Sequence, residues 1–154
     1  MSVQVSTAGE NGLRRILLLI VALGALGLTA ELFLLEHFEE WTQWLPFVLL
    51  GLVLAGCALA ALAPRARVVR AFRWIMLATI ATGVVGIWLH FTGNRAFEVE
   101  MDASQGGWLL VWHSLRGATP ALAPGAMVQL GLIGLLYTWR HPALTREPHR
   151  EGMR

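Results

Sequence analysis

Charged side chains are scarce in this sequence, and one kind is missing altogether. Only 14% of its 154 residues are charged, whereas soluble domains carry roughly 25%. Lysine does not occur, so all 12 basic residues are arginine. Because so little charge cannot cover a surface that faces water, we predict that lipid covers part of the molecule.

Motifs for several kinds of site are also missing. The sequence contains no Cys-x-x-Cys-His, His-x-x-x-His or Glu-x-x-His spacing, which are typical of haem-attachment and helix-borne metal sites. Its single cysteine, Cys57, lies in the middle of an apolar run, where core packing explains it. We therefore predict no cofactor, with haem b or a divalent metal as the alternative.

Long apolar runs are what the sequence has in abundance. Hydrophobic residues make up 56% of the chain and concentrate in four runs, at 16–35, 45–63, 74–91 and 119–139. A helix needs roughly 20 residues to cross a hydrocarbon core of about 30 Å, and lipid-facing backbone must satisfy its own hydrogen bonds. We therefore predict an all-α membrane protein with a bundle of four transmembrane helices in residues 13–142, between disordered tails at 1–12 and 143–154.

The arginines are distributed unequally between the two sides of this bundle. Arg95 and Arg116 fall on one side, and the others fall on the opposite side. The larger group is Arg14, Arg15, Arg65, Arg67, Arg70, Arg73, Arg140, Arg146, Arg150 and Arg154. Because cytoplasmic flanks carry an excess of positive charge, both termini and the middle loop are predicted to lie in the cytoplasm.

The same arginines lie within reach of lipid phosphates, which attract basic residues near a membrane surface. We interpret six of them as headgroup partners: Arg14, Arg15, Arg65, Arg67, Arg70 and Arg73. The sequence pI near 9.5 thus reflects membrane flanks, so membrane lipids are predicted partners and nucleic acid is not.

The connection between the third and fourth runs, residues 92–118, is the longest loop on the outer side. In FEVEMD, apolar residues alternate with Glu98, Glu100 and Asp102, which predicts a short extended segment. In GGWLLVWHSLRG, Trp108 and Trp112 with neighbouring aliphatic residues predict a short interfacial helix lying on the membrane. Long loops are often functional, so these five acidic and tryptophan residues form a candidate surface for docking a partner.

The start of the fourth run contains two prolines, in GATPALAPGAM. A helix from residue 120 to 139 is about 30 Å long, whereas a start after Pro124 leaves roughly 22 Å, which is too short to span. Either Pro124 lies in the first turns and bends the helix, or residues 118–125 enter the bundle as irregular backbone. The first arrangement is our prediction.

Histidine and glutamate residues near the outer boundary are candidate metal or haem ligands, because facing helices build such sites from these side chains. If the first helix continues past the membrane, one of its faces carries Glu36, His37 and Glu40. His90 ends the third run, and His113 lies in the predicted interfacial helix. The simpler interpretation is that these are ordinary boundary residues exposed to solvent.

Two polar residues fall within the predicted spans themselves. Glu31 is near the outer end of the first run, where an ionisable group is a functional candidate, although its carboxylate could also reach the headgroups. Gln129, in the fourth run, could share a proton or ion site with it or bond a neighbouring helix.

The block from GNRAFEVEMD to YTWRHP, within residues 83–142, resembles a stretch of small, uncharacterised bacterial four-helix membrane proteins. The resemblance implies a multi-pass protein of the bacterial cytoplasmic (inner) membrane and carries no activity with it. Small multidrug transporters also have four helices and a glutamate in the first, but Glu31 lies too near the helix end and the outer loop is too long to match them.

Two functional hypotheses follow. In the first, the protein is a non-catalytic accessory or structural subunit that docks a partner through its outer face, with other membrane subunits or a second copy as possible partners. In the second, it is a small haem- or metal-binding redox protein, or a proton-coupled transporter, that uses Glu31 and the outer histidines. No residue is predicted to be catalytic.

Overall fold

Helix is the expected form for such apolar sequence, since each span must satisfy its own backbone hydrogen bonds in lipid. The computed structural model describes residues 7–117 and 122–145, and every regular element within those ranges is helical, which confirms the all-α prediction. The elements are α1 (Thr7–Leu34), a 3₁₀ turn (Trp41–Gln43), α2 (Trp44–Leu62), α3 (Ala66–Met101), α4 (Gly107–Leu115), α5 (Leu122–Thr138) and α6 (Pro142–Thr145).

Three of these helices are long and apolar enough to cross a membrane. The apolar stretches are Gly9–Leu34, Trp41–Leu62 and Ala66–Met101. The fourth apolar helix, α5, has 17 residues and is therefore about 26 Å long; residues 118–121 of the predicted fourth span lie outside the described residues. The chain is thus a helical protein with three candidate membrane spans and a shorter apolar helix packed among them.

The four long helices are arranged in a ring in the order α1, α2, α3, α5, and the most extensive pairing is between α3 and α5. Their shared core contains Val21 of α1, Val53 of α2, Phe72 and Met76 of α3 and Tyr137 of α5. Large aliphatic side chains on the opposite faces are exposed. A protein in water would hide such residues, so this pattern is typical of helices whose outer faces contact lipid.

Glycines allow α3 and α5 to approach each other closely. A Cβ on Gly83 would lie 2.6 Å from the carbonyl oxygen of Pro124, and a Cβ on Gly131 would lie 2.8 Å from the carbonyl oxygen of Met76. Backbone therefore meets backbone at both positions. Such contacts are how helices associate in lipid, where the hydrophobic effect does not drive them together.

The two ends of the ring differ in charge. We call the end where α1 stops and α2 begins, near Glu36, the acidic end. The opposite end, where α2 passes into α3 and α5 terminates near Arg14 and Arg73, we call the arginine end.

Several predicted boundaries differ from the structure. The FEVEMD segment is not extended, because α3 continues without a break to Met101. Residues 7–12 of the predicted N-terminal tail belong to α1, and α6 includes residues 143–145 of the predicted C-terminal tail; residues 1–6 and 146–154 lie outside the described residues. Pro124 lies in the first turn of α5, and residues 118–121, on which the choice between the two arrangements also depends, lie outside the described residues.

Candidate functional site

The end of α1 determines how the acidic end is built. Glu36 has a positive φ of 53°, the left-handed conformation that commonly terminates helices. The His37 N–H donates to the Leu32 carbonyl at 2.9 Å, and the Glu36 N–H donates to the Phe33 carbonyl at 3.1 Å. These two bonds form a Schellman motif, which satisfies the last carbonyls of α1 and reverses the chain.

This turn contradicts the prediction that α1 continues past the membrane and carries three candidate ligands on one helix face. Because α1 ends at Leu34, Glu36, His37 and Glu40 do not share a helix face. Glu36 and Glu40 are both exposed, and the Glu40 N–H is hydrogen-bonded to the Gln43 side-chain oxygen at 3.0 Å. These glutamates therefore belong to a solvent-facing connection between α1 and α2.

His37 is directed instead towards α3, where it meets His90. The two imidazole ring centroids are 6.3 Å apart, with the ring planes at 51°, and both residues are half-buried. Burial, and secondarily the charge of His90, lower the pKa of His37 below its ordinary value. A lowered pKa favours the neutral imidazole of His37, which is the form that binds a metal.

His113 lies elsewhere, in a separate cluster on α4. Its Nδ1 is 3.7 Å from a carboxylate oxygen of Glu98 and 3.2 Å from the Gln105 side-chain oxygen. The three outer histidines are thus divided between two places. Within residues 7–117 and 122–145, no three His, Cys, Asp or Glu side chains come together as a metal site.

The α4 helix is held firmly on the far part of α3. The buried Asn94 side chain donates to the Ser114 carbonyl at 3.0 Å, and the Ser114 hydroxyl donates to the Leu110 carbonyl at 2.7 Å. Gly117 packs directly against the Asn94 side chain. Buried hydrogen bonds of this kind are costly to break, so α3 and α4 form one hairpin, which we call the α3–α4 hairpin (residues 92–117).

The side of α4 that faces away from α3 is apolar. Trp108 is 73% exposed, and Leu109, Trp112 and Leu115 are exposed as well. The Arg116 guanidinium lies 5.7 Å from the centroid of the Trp112 ring, a distance typical of a cation–π contact. We call Trp108, Leu109, Trp112 and Leu115 the α4 apolar face. The structure confirms a short helix at this place, and its position on the membrane stays a prediction.

The acidic residues of the docking prediction lie beside this face in different environments. Glu98 is half-buried against His113, and Glu100 is exposed. Asp102 ends α3 and accepts hydrogen bonds from the Ser104 hydroxyl at 2.6 Å and the Ser104 N–H at 2.9 Å. These bonds to Ser104 hold the pKa of Asp102 below its ordinary value, so its negative charge is retained at mildly acidic pH.

Glu31 and Gln129 both lie on the outside of the bundle. Each is exposed, whereas Leu32 and Leu130 next to them point into the core. The proton or ion site predicted for this pair would therefore have to operate from the surface that faces lipid, rather than from an interior path between helices.

At the arginine end, two of the six predicted headgroup partners instead bind the C-terminus of α5. Arg14 donates to the Tyr137 carbonyl at 2.9 Å and to the Trp139 and Arg140 carbonyls at 3.3 Å. Arg73 donates to the Thr138 carbonyl at 3.0 Å. The remaining four, Arg15, Arg65, Arg67 and Arg70, are exposed, as a headgroup role requires.

Sequence reasoning missed the polar residues that hold these two regions together. Asn94 and Ser114 lie in the stretch that the sequence predicts as a long loop. The structure shows that they form a buried contact between α3 and α4. At the arginine end, His141 is buried against the Tyr137 ring at a centroid distance of 5.1 Å and accepts the Ala143 N–H at 3.1 Å. The signal was available there, since Tyr137 and Thr138 are polar residues at the end of an apolar run.

Comparison of the chain with protein-family models, with curated protein sequences and with solved structures gave no match.

Proposed function

We propose that this protein is a non-catalytic membrane subunit that crosses the bilayer four times, has both termini in the cytoplasm, and docks a partner protein through the α4 apolar face. The observation that carries the proposal is the presentation of Trp108 and Trp112, exposed on a helix that the Asn94–Ser114 bond fixes to α3. The resemblance of residues 83–142 to bacterial membrane proteins supports the bacterial inner membrane as its location.

The position of α5 supports a fourth span. It packs between α1 and α3, and its C-terminal carbonyls are level with Arg14 and Arg73, the arginines that precede the apolar parts of those two helices. Its length of about 26 Å is close to the thickness of the hydrocarbon core. The excess of arginine at this end supports its cytoplasmic location.

The chemistry of the α4 apolar face favours a protein as its partner. Tryptophan is enriched among the residues that dominate binding energy at interfaces, and a rigidly held helix loses little conformational entropy when it binds. Exposed Glu100 and the ionised Asp102 lie at the end of the same hairpin. The surface therefore matches a partner that offers an apolar groove bordered by basic residues.

Loss of the two tryptophans is expected to abolish docking while leaving the bundle intact. In a Trp108→Ser/Trp112→Ser variant, the two largest exposed side chains of the face are lost, and binding should weaken by at least about tenfold, because hot-spot residues contribute 2 kcal/mol or more each. The measurement is crosslinking in cells from a photoreactive residue at position 109, with the crosslinked partner identified and quantified.

Trp41→Ser is the matched control, since Trp41 is 85% exposed at the acidic end but lies outside the hairpin. The proposal is contradicted if position 109 crosslinks only to lipid, or if the control reduces the partner crosslink as much as the double variant. The first result would assign α4 to the membrane interface.

A second candidate function, metal or haem binding, is favoured by one observation, the contact between His37 and His90. Two imidazoles from different segments, with ring centroids 6.3 Å apart, could ligate one ion between them. If they do, the purified protein should retain a transition metal, or show a haem absorption band, and His37→Ala should remove most of it. His113→Ala is the control, because His113 lies in the separate α4 cluster. A colourless and metal-free wild-type protein would exclude this function.

A further inference from the structure

An open groove runs along the outside of the bundle between α2 and α3. Its volume is about 350 Å³, and its lining is almost entirely apolar, with Arg67 as the one charged residue. Ligand sites in proteins start at roughly 300 Å³, so the groove is large enough to hold part of a small molecule.

Small residues create this groove. Ala55 and Gly56 of α2 face Ala71 of α3, and the Phe72 ring lies against Gly56, where a Cβ would come within 2.8 Å of the ring. Larger aliphatic side chains, including Leu59 and Ile75, line its borders. The groove is therefore built into the helix pairing and does not depend on a mobile loop.

The surroundings of the groove are apolar along its length and cationic at one end. Both α2 and α3 belong to stretches long and apolar enough to cross a membrane, so the open side of the groove faces hydrocarbon. Arg67 lies in the first turn of α3, and Ile75 lies eight residues further on, which is about 12 Å deeper along the helix. The groove thus has a cationic mouth at the arginine end and an apolar interior.

Arg67 is exposed and available to an anion. Residues 41–97 contain no Asp or Glu, and within the part of the chain that the structure describes no carboxylate lies within ion-pair distance of Arg67. Arg65 and Arg70 add positive charge nearby and are exposed. A phosphate at this mouth would meet the exposed guanidinium of Arg67, and arginine is suited to phosphate recognition.

We propose that this groove is a binding site for one anionic phospholipid, whose phosphate contacts Arg67 and whose acyl chain lies along Ala55, Ala71 and Ile75. Basic pockets between membrane helices are known to recognise anionic headgroups. The proposal requires that α2 and α3 lie in a membrane, as in the proposed function, but it does not involve the α4 apolar face or any partner protein.

Native mass spectrometry of the full chain in detergent tests the proposal, with phosphatidylglycerol and phosphatidylcholine of identical acyl chains as probes. We expect one tightly retained lipid, with phosphatidylglycerol preferred about fivefold, in line with the attraction of one arginine for an anionic lipid. Arg67→Gln should remove the preference and leave the weaker, chain-dependent binding. Arg15→Gln should keep the preference, since Arg15 is equally exposed but lies on α1.

A groove-filling variant separates an acyl-chain site from a headgroup site. Ala71→Phe should reduce retention of both lipids several-fold, whereas Ala78→Phe, at an exposed position two turns along the same helix, should not. Equal retention of the two lipids by the wild type would overturn the proposal. So would an Ala71→Phe protein that binds phosphatidylglycerol normally, complete displacement of the lipid by millimolar inorganic phosphate, or a dimer that Ala71→Phe dissociates. A failure of docking through α4 would leave all these results unchanged.

Discussion

Gly83→Ala is expected to destabilise the bundle by about 2–3 kcal/mol, although the same substitution in an exposed helix position stabilises by up to about 1 kcal/mol. The added Cβ would lie 2.6 Å from the Pro124 carbonyl oxygen and 3.0 Å from the Val128 amide nitrogen. Both are backbone atoms of α5, so no side-chain rotation can relieve the overlap. The helix itself must move away from α3, which disrupts the close packing of the two backbones.

Two other glycines make this prediction a graded series. Gly51 has no neighbour within 4 Å of its would-be Cβ, so Gly51→Ala should be neutral or slightly stabilising. At Gly134 the Cβ would meet the Sδ and Cγ atoms of Met76; these are side-chain atoms that a rotamer change can shift, so Gly134→Ala should cost less than Gly83→Ala. Unfolding titrations with SDS in mixed micelles measure all three. If Gly83→Ala proves as stable as Gly51→Ala, the close α3–α5 packing is wrong.

The helices themselves could be predicted from sequence because their cause is local. An apolar run of about 20 residues must form a helix in lipid whatever surrounds it, and α1, α2 and α3 each contain one. The pairing of α3 with α5 was not predictable in the same way. Small residues at helical spacing occur in all four runs, and only tertiary structure shows that Gly83 meets Pro124 while Gly51 meets nothing.

The extended segment predicted over FEVEMD failed because two periodicities overlap there. Alternating residues have the two-residue repeat of a strand, but Asn94 and Glu98 are four residues apart, on one face of a helix. That face is the one that α4 covers, with Asn94 bound to Ser114 and Glu98 beside His113. The partner of this face lies about 20 residues further along the chain, so a local pattern could not reveal it.

The candidate site at the acidic end was predicted in part. The sequence places both His37 and His90 near the outer boundary, and in the structure their rings do lie together. The prediction misplaces the glutamates because it extends α1 past Leu34, where the helix ends. No local sequence signal marks this helix end. Glycine or asparagine usually occupies the left-handed position of a Schellman motif, whereas here it is Glu36, so the usual sequence signal for the helix end is missing.

Arg14→Gln is expected to destabilise the bundle by about 2 kcal/mol, whereas Arg15→Gln should change its stability by less than about 0.5 kcal/mol. The last carbonyls of a helix have no partner within the helix, and Arg14 donates to the Tyr137 carbonyl in the last turn of α5 and to the Trp139 and Arg140 carbonyls just after it. Its positive charge also interacts favourably with the negative C-terminal end of the helix dipole. Glutamine is too short and uncharged to replace either contribution, so α5 should fray from its C-terminus.

The neighbouring arginines make the comparison unusually direct. Both substitutions remove one positive charge from the same flank, so any effect on membrane orientation is shared, and only the contacts with α5 differ, since Arg15 is exposed. SDS unfolding gives the stability, and hydrogen exchange of residues 131–139 locates the fraying. Arg73→Gln should raise exchange in the same segment because Arg73 donates to Thr138. Equal effects of Arg14→Gln and Arg15→Gln would contradict the prediction. They would mean that Arg14 does not stabilise the C-terminus of α5.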